Sequence, residues 1–536
     1  MPGSVRLFDI AAMAVLAAIA AIAVFTFRDY GLGWDDYTHA QYGQMLLDFY
    51  ASGFTDRRAL SFVNLYMYGG GFDMAAALLA KLLPFDLFET RRLAGAIVGL
   101  IGLFATWRLA RHLGGALAGL IALVLLATCP LYYGHMFINP KDAPFAVAMI
   151  VLLMALVRVI EEYPRPSPAT IVLFGTGLGL SIGSRILAGM AALYVLPPLL
   201  LLLANDMREK GAKLAFARTA RFIALLLPGL LLAGAIMALL WPWSVTEPLN
   251  LFRALAYFSE FFEKPWKEMF AGQLISVPDM PRSYVPLYFA IQMPEILTLL
   301  ALGGLGGTVV AQFRSGLPLK RRAVLLLIAL AAALPILVPL LTRPAMYNGI
   351  RHFIFAVPPL AVLGGLAGAY AIGRLRARSA QIAAGLLIAA GLIIPLADLV
   401  RLHPYQYAFF NRASGGIRMA DANYTLDYWG LAFKQASKAL LAKLHERNEI
   451  PPAGRHWRIA VCGPRPPAEV QLGPQFDLTW DPKGADFAMM LGEFYCAELN
   501  APVLVQIERG GVVFARVYDI RDRNISNMFT IPPVTR

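Results

Sequence analysis

Long apolar runs separated by short polar segments dominate the 536 residues. A crossing of a bilayer needs about 20 mostly apolar residues in a helix. Runs of this kind cover Leu7–Phe27, Leu93–Leu113, Gly115–Tyr133, Ala143–Val159, Ala169–Ile182, Ile186–Ala204 and Phe222–Trp241, then Ile296–Phe313, Ala323–Leu341, Phe353–Ile372 and Ser379–Ala397. The pattern predicts a membrane all-α module, residues 1–397, with about eleven transmembrane helices. The first run has no small-residue cleavage site before Arg28 and reads as a retained anchor. Two long polar interruptions, 28–92 and 242–295, stand out. Within the first, Gly69–Pro84 is apolar but only about 16 residues long and holds Asp73 and Lys81; that length suits an interfacial or re-entrant helix.

After residue 397 the pattern becomes that of a soluble domain, 398–536. Tyr428–Arg447 carries Lys434, Lys438 and Lys443 on one side and predicts an amphipathic helix. Arg458–Cys462, Ala485–Leu491 and Val503–Tyr518 predict strands, the last folded at Glu508–Gly511. The expected class is α+β.

Composition agrees with the pattern. Apolar residues make up 58% and charged residues 15%, and the mean hydropathy is +0.60; soluble chains run about 45–50% and about 25%. Disordered and collagen-like classes are excluded. The net charge of +13 is topological rather than a nucleic-acid footprint. With the N-terminus inside, every second loop is basic: Arg108 and Arg111; Arg158 and Arg165; Arg208, Lys210, Lys213, Arg218 and Arg221; Arg314, Lys320, Arg321 and Arg322; Arg374, Arg376 and Arg378. Only Glu161, Glu162, Asp206 and Glu209 oppose them, as the positive-inside rule requires. Counting Gly69–Pro84 as a crossing would invert every later loop. The short apolar helix, the loop 242–295 and the C-terminal domain therefore belong to the outer face. Three cysteines exclude a disulfide scaffold. Cys462 and Cys496 lie in an oxidising space on this topology, where a disulfide can form.

The unusual chemistry sits on that outer face. Gly33-Trp-Asp-Asp-Tyr-Thr-His39 follows the first run. Asp35 and Asp36 stand at the headgroup level, where desolvation raises a carboxylate pKa and makes a general base; alternatively one of them caps the following helix. Asn139-Pro-Lys-Asp142 is a short outer loop, in which Asp142 either caps a Pro-started helix, with Lys141 snorkelling, or serves a site. Arg185 sits in a tight outer turn, and Arg343, Tyr347, Arg351 and His352 share another. Short loops thus bring five cationic or ionisable groups to the face that holds Asp35 and Asp36. That combination suits a lipid phosphate leaving group beside a base. No phosphate-binding lysine loop, HExxH, GxSxG or zinc spacing is present. Gly175-Thr-Gly-Leu-Gly179 lies in a span and predicts close helix packing.

These segments resemble the GT-C glycosyltransferases that use polyprenyl-phosphate sugars, most closely the family 39 type of protein O-mannosyltransferases and aminoarabinose transferases. Trp34-Asp-Asp-Tyr-Thr-His39 is similar to the acidic pair of their first outer loop. Asn139-Pro-Lys-Asp-Ala-Pro144 resembles the second loop, Gly177–Arg185 the glycine-rich stretch ending in a base, and Arg351–Pro359 the Arg-aromatic-Pro motif. His403-Pro-Tyr-Gln-Tyr407 and Asp427-Tyr-Trp-Gly430 look like motifs of bacterial relatives. The pair here is Asp-Asp rather than Asp-Glu, and the C-terminal domain matches neither subfamily.

The resemblance implies an inverting transferase in a bacterial inner membrane, with the C-terminal domain periplasmic. Asp35 would be the base and Asp36 its support. Lys141, Arg185, Arg351 and His352 would offset the phosphate charge, Asp142 would orient sugar or acceptor, and His39, Arg343 and Tyr347 would complete the substrate site. The donor would be a polyprenyl-phosphate sugar, the acceptor a glycolipid, polysaccharide or protein. No cofactor or divalent metal is expected, nor any nucleic acid. The rival readings are a flippase of a lipid-linked sugar, which would carry its charges at the bilayer midplane, and a non-catalytic envelope assembly protein.

Overall fold

The computed structural model describes residues 2–259 and 266–531; residues 260–265 of the second outer loop and 532–536 of the C-terminal domain lie outside the described residues. Among the described residues nine helices are long and apolar enough to cross a membrane: Val5–Asp29, Leu87–Ala127, Asp142–Glu161, Ile186–Lys210, Ala212–Leu240, Glu295–Gln312, Leu319–Thr342, Arg351–Arg374 and Arg378–Arg401. The chain is a multi-pass membrane protein.

Leu87–Ala127 holds two of the expected spans. At 41 residues it would reach about 60 Å if straight, twice a bilayer core. It breaks at Gly115, whose φ of 83° and ψ of −179° only glycine adopts without strain. The chain then doubles back: a Cβ on Gly119 would lie 2.8 Å from Arg111 Cβ and 3.0 Å from Trp107. Pro168–Ile182 is the shortest expected span. Its 15 residues rise about 22 Å, so a count of eleven turns on this helix. It packs tightly, with Gly175 against the backbone of Gly229 and Gly179 against Ala233, which is the use expected for its glycines.

Two short helices sit beside the bundle. Asp36–Ala51 follows the first span, and Gly71–Ala80, ten residues, replaces the expected interfacial helix over Gly69–Pro84. The second is anchored at its start. Gly69 N–H donates to Ser184 O at 3.3 Å and Gly70 N–H to Leu240 O at 2.9 Å. A Cβ on Gly69 would meet Gly183 O at 1.5 Å, so no other residue lets the first outer loop touch the 183–185 turn.

The second outer loop folds into a hairpin that the sequence pattern did not reveal. Strand β1 (Lys267–Phe270) pairs antiparallel with β2 (Gln273–Ser276). The C-terminal domain is a five-stranded mixed sheet. Its strands are β3 (Trp457–Cys462), β4 (Phe476–Thr479), β5 (Phe487–Leu491), β6 (Val503–Arg509) and β7 (Val512–Asp519), in the order β4-β3-β5-β7-β6. Strand β3 runs parallel to β4 and β5, and β7 antiparallel to β5 and β6. The helix expected over Tyr428–Arg447 begins at Phe433, because Gly430 at φ 73° ends a separate turn before it. Phe433, Leu440 and Leu444 bury themselves with Trp457, Val461 and Met489.

Cys462 and Cys496 form a disulfide with Cα atoms 5.9 Å apart, 34 residues apart in sequence. Closing a loop of that length restricts the unfolded chain and contributes about 2–4 kcal/mol. Replacing both cysteines by serine is expected to lower the unfolding free energy of the C-terminal domain by that amount, read as a lower midpoint in a denaturant titration. Reductant should reproduce the shift in the wild-type chain and leave the double variant unchanged.

Candidate functional site

Three turns at one end of the bundle converge on one largely buried cluster. The Asn139–Asp142 turn is organised by Asn139, whose Oδ1 accepts from Lys141 N at 3.1 Å and Asp142 N at 2.8 Å. Asn139 does the capping expected of Asp142. The Asp142 carboxylate is thereby released to bind cations: it pairs with Arg185 and, at 3.5 Å, with Arg351. It is only 1% exposed. Lys141 does not snorkel. Its Nζ lies 3.5 Å from Asp35 Oδ2 and 5.0 Å from the ring centre of Tyr68. Arg185 lies over the same ring at 5.6 Å. Arg351 lies between the rings of Tyr347, at 5.1 Å, and Trp429, at 5.4 Å. His352 meets the edge of Tyr347 at 4.8 Å.

Asp35, Lys141, Asp142, Arg185, Tyr347, Arg351 and His352 are thus brought together. Asp35 occupies the position before the helix Asp36–Ala51 yet makes no side-chain capping bond, so the cap does not account for it. Its side chain keeps 30% of its surface exposed, enough for an incoming group to reach.

Three other expected residues are placed elsewhere. Asp36 turns inward, 2% exposed, and binds Arg92 through both oxygens and Gly33 N–H at 2.6 Å. It fixes the loop that presents Asp35. His39 joins a separate buried network, with Nδ1 2.6 Å from Asp73 and Asp73 in turn 2.6 Å from Arg91. Arg343 ends its helix in a left-handed conformation and donates to Met280 O at 3.2 Å. Among the described residues nothing joins it to the cluster.

The structure adds residues that single-sequence reasoning gave no role. Tyr68 supplies an aromatic face to two cations. Trp429 comes from the Asp427–Gly430 motif, which was visible but unassigned. Trp34 N–H donates to Trp429 O at 3.0 Å, so this motif roofs the first outer loop. Asp427 holds the roof turn by accepting from Leu431 N at 2.9 Å and Ala432 N at 3.0 Å, and Glu493 holds Leu426 N and Asp427 N. Burial pushes Asp427 up to about 6 and raises Glu493 well above the carboxylate range. The C-terminal domain therefore forms one wall of the site.

His135 supports that wall. Its Nδ1 faces the Asn139 amide at 3.2 Å and its Nε2 the Tyr428 hydroxyl at 3.2 Å. Burial, then the charge of Arg351, lowers its pKa to about 3, so it stays neutral. Glu268 of β1 is also buried, and burial raises it to about 7. Among the described residues no three His, Cys, Asp or Glu side chains gather as a metal-binding group.

Lys141, Arg185 and the buried Arg351 thus gather with Asp35 and Asp142 at one end of the helical bundle. Residues 72–241, which include the Asn139–Asp142 turn and Arg185, match the family model described as dolichyl-phosphate-mannose-protein mannosyltransferase. Over that stretch, about a third of the chain, the sequence is similar to this family of membrane glycosyltransferases. Among solved structures, the chain is similar to ArnT from Cupriavidus metallidurans bound to undecaprenyl phosphate. The identity is 16%, the match covers 98% of this chain and 99% of that one, and the TM-score is 0.49. It is also similar to the oligosaccharyltransferase of Archaeoglobus fulgidus in its apo form, at 13% identity over 89% of this chain and 65% of that one, with a TM-score of 0.49. No curated protein matches the chain.

Proposed function

We propose that the chain is a glycosyltransferase that moves a sugar from a polyprenyl-phosphate donor to an acceptor hydroxyl at the outer face of a bacterial inner membrane, with inversion at the anomeric carbon. The observation that carries the reading is the charge balance of the cluster. Lys141, Arg185 and Arg351 face Asp35 and Asp142, which leaves one positive charge to meet the single negative charge of a phosphodiester. As the acceptor oxygen bonds to the anomeric carbon, its proton passes to Asp35 and the bond from that carbon to the phosphate oxygen breaks. The leaving polyprenyl phosphate gains one negative charge while Asp35 loses one. The site thus follows the charge it must stabilise.

Lys141 stands where it can serve both events: its ammonium pairs with Asp35 and turns toward the phosphate when the donor binds, leaving the Asp35 carboxylate to the acceptor hydroxyl. Asp142 holds Arg185 and Arg351 at fixed positions so that they need not reorganise. The roof of Tyr428 and Trp429 excludes water from the reacting carbon. Orientation follows from the basic inner loops, and the disulfide in the C-terminal domain agrees with an oxidising outer space. The acceptor is a glycolipid, a polysaccharide or a protein. A flippase would place its charges at mid-bilayer, and here they gather in the outer turns.

Purified chain incubated with polyprenyl-phosphate sugars and an envelope extract is expected to release polyprenyl phosphate and to invert the anomeric configuration, read by mass spectrometry and NMR. Retention of configuration, or no release with any donor, would reject the proposal. With three side-chain cations offsetting the phosphate, added chelator is expected to change the rate by less than about twofold. A loss reversed by a divalent ion would show that the cations do not suffice.

A further inference from the structure

The turn that carries Tyr347 and Arg351 is held from outside. Asn348 and Gly349 are consecutive left-handed residues, at φ 56° and 64°. A non-glycine residue adopts that conformation only against its backbone preference, so partners that hold the turn matter. Its partners come from the hairpin of the second outer loop. The Glu268 carboxylate accepts from Asn348 N–H at 2.6 Å through Oε1 and faces the Tyr284 hydroxyl at 3.4 Å through Oε2. Two residues earlier, the ring of Trp266 meets Tyr347 edge-on at 4.9 Å. The hairpin is docked in turn, because Phe270 stacks on Tyr284 at 5.0 Å. Glu268 is 3% exposed. A carboxyl placed in such surroundings is costly unless the bonds it makes matter elsewhere.

We propose that Glu268 is a positioning residue of the donor site: by holding Asn348 N–H it fixes the turn that sets Tyr347 and Arg351 against the donor phosphate. This inference rests on the donor reading above. Only a neutral carboxyl performs the task without opposing the phosphate. An ionised one would place a negative charge behind Arg351, the cation whose attraction it feels. Among the described residues, the groups facing it are Arg351 beyond the turn, Tyr284 and Tyr288 on the helix Tyr284–Gln292, and Tyr428 from the roof, and Arg351 is the cation among these. Burial holds Glu268 near 7, so it is neutral below that pH and charged above it. Phosphate binding should weaken as pH rises through 7.

The test measures binding of undecaprenyl phosphate to the full chain in lipid nanodiscs, at pH 6 and pH 8, for the wild type, Glu268→Gln, Glu268→Ala and Asp35→Asn. Glu268→Ala frees the turn and is expected to raise Kd about tenfold, the equivalent of about 1.4 kcal/mol. Glu268→Gln keeps an acceptor for Asn348 N–H and should restore wild-type Kd at pH 6. Between pH 6 and pH 8 the wild type should lose about threefold in affinity relative to Glu268→Gln; this comparison removes the titration of the lipid phosphate itself and does not depend on whether the alanine variant folds. In turnover the Glu268→Ala defect should appear in donor KM more than in kcat. Asp35→Asn should bind at least as tightly, since losing the carboxylate leaves Lys141 to the phosphate, and turn over poorly. Equal Kd for the wild type and folded Glu268→Ala, or parallel pH profiles for the wild type and Glu268→Gln, would overturn the inference and leave the donor reading standing. A wild-type chain that does not bind undecaprenyl phosphate would reject both.

Discussion

Asp35→Asn is expected to lower kcat/KM for glycosyl transfer by about 10³-fold, within the 10²–10⁴ range of a lost general base, while the protein unfolds at the wild-type temperature. The amide keeps the size of the carboxyl but cannot take the acceptor proton. Asp35 is partly exposed and its ion pair with Lys141 is long, at 3.5 Å, so little folding energy rests on it. Asp36→Asn provides the contrast. Asp36 is buried against Arg92, and its loss leaves a buried guanidinium without its carboxylate. The second variant should lose stability and activity together. Parallel melting curves and rate measurements separate the two aspartates. Equal melting with equal activity loss in both variants would contradict the division of roles drawn here.

The second large effect is expected at Asp142. Its carboxylate bridges Arg185 and Arg351, and Asn139 Nδ2 donates to it at 3.0 Å. Removing one partner from a buried ionic cluster leaves the others uncompensated, at a cost of about 3–5 kcal/mol. Asp142→Ala should therefore lower stability by that amount and abolish transfer. The two arginines it releases remain suited to an anion, so polyprenyl phosphate should recover more stability in this variant than in the wild type. Thermal unfolding with and without the lipid checks both statements. An Asp142→Ala chain as stable as the wild type would show that the cations are solvated, and would remove the basis for a preorganised phosphate site.

Much of this architecture was legible in the sequence, and the reasons are physical. A span must be long and apolar, so the nine long helices were visible as runs; only Pro168–Ile182, at 15 residues, falls between a crossing and a shorter element. Gly115 separated two spans on the page and does so in the structure. The inward bias of Lys and Arg fixed which loops share a face, and that placement alone assembled Lys141, Asp142, Arg185, Arg351 and His352. It could not say which way side chains turn. Asp36, His39 and Arg343 share the face yet make their bonds elsewhere. The capping role expected of Asp142 went to Asn139, three residues earlier, and that reassignment is what released Asp142 for the cations.

The remaining features depend on contacts between segments far apart in the chain. Glu268 lies 80 residues from Asn348, and in the sequence it is one acid in a polar loop. Trp429 reaches Arg351 because the C-terminal domain closes over the first outer loop. Strand β4 has four residues, Phe476–Thr479, with Asp477 inside it, too short a pattern to detect. The rival reading of a non-catalytic assembly protein was open in the sequence for the same reason: residue types on one face do not show whether they meet.

The most direct measurement compares envelope lipids, glycans and proteins by mass spectrometry in cells making the wild-type chain or Asp35→Asn at equal level. Glycosyl transfer predicts one class of acceptor that carries an added sugar-sized mass with the wild type and lacks it with the variant, which also identifies the acceptor. Identical spectra from the two, in cells where both restore the same phenotype, would contradict Asp35 as the base and with it the proposed reaction.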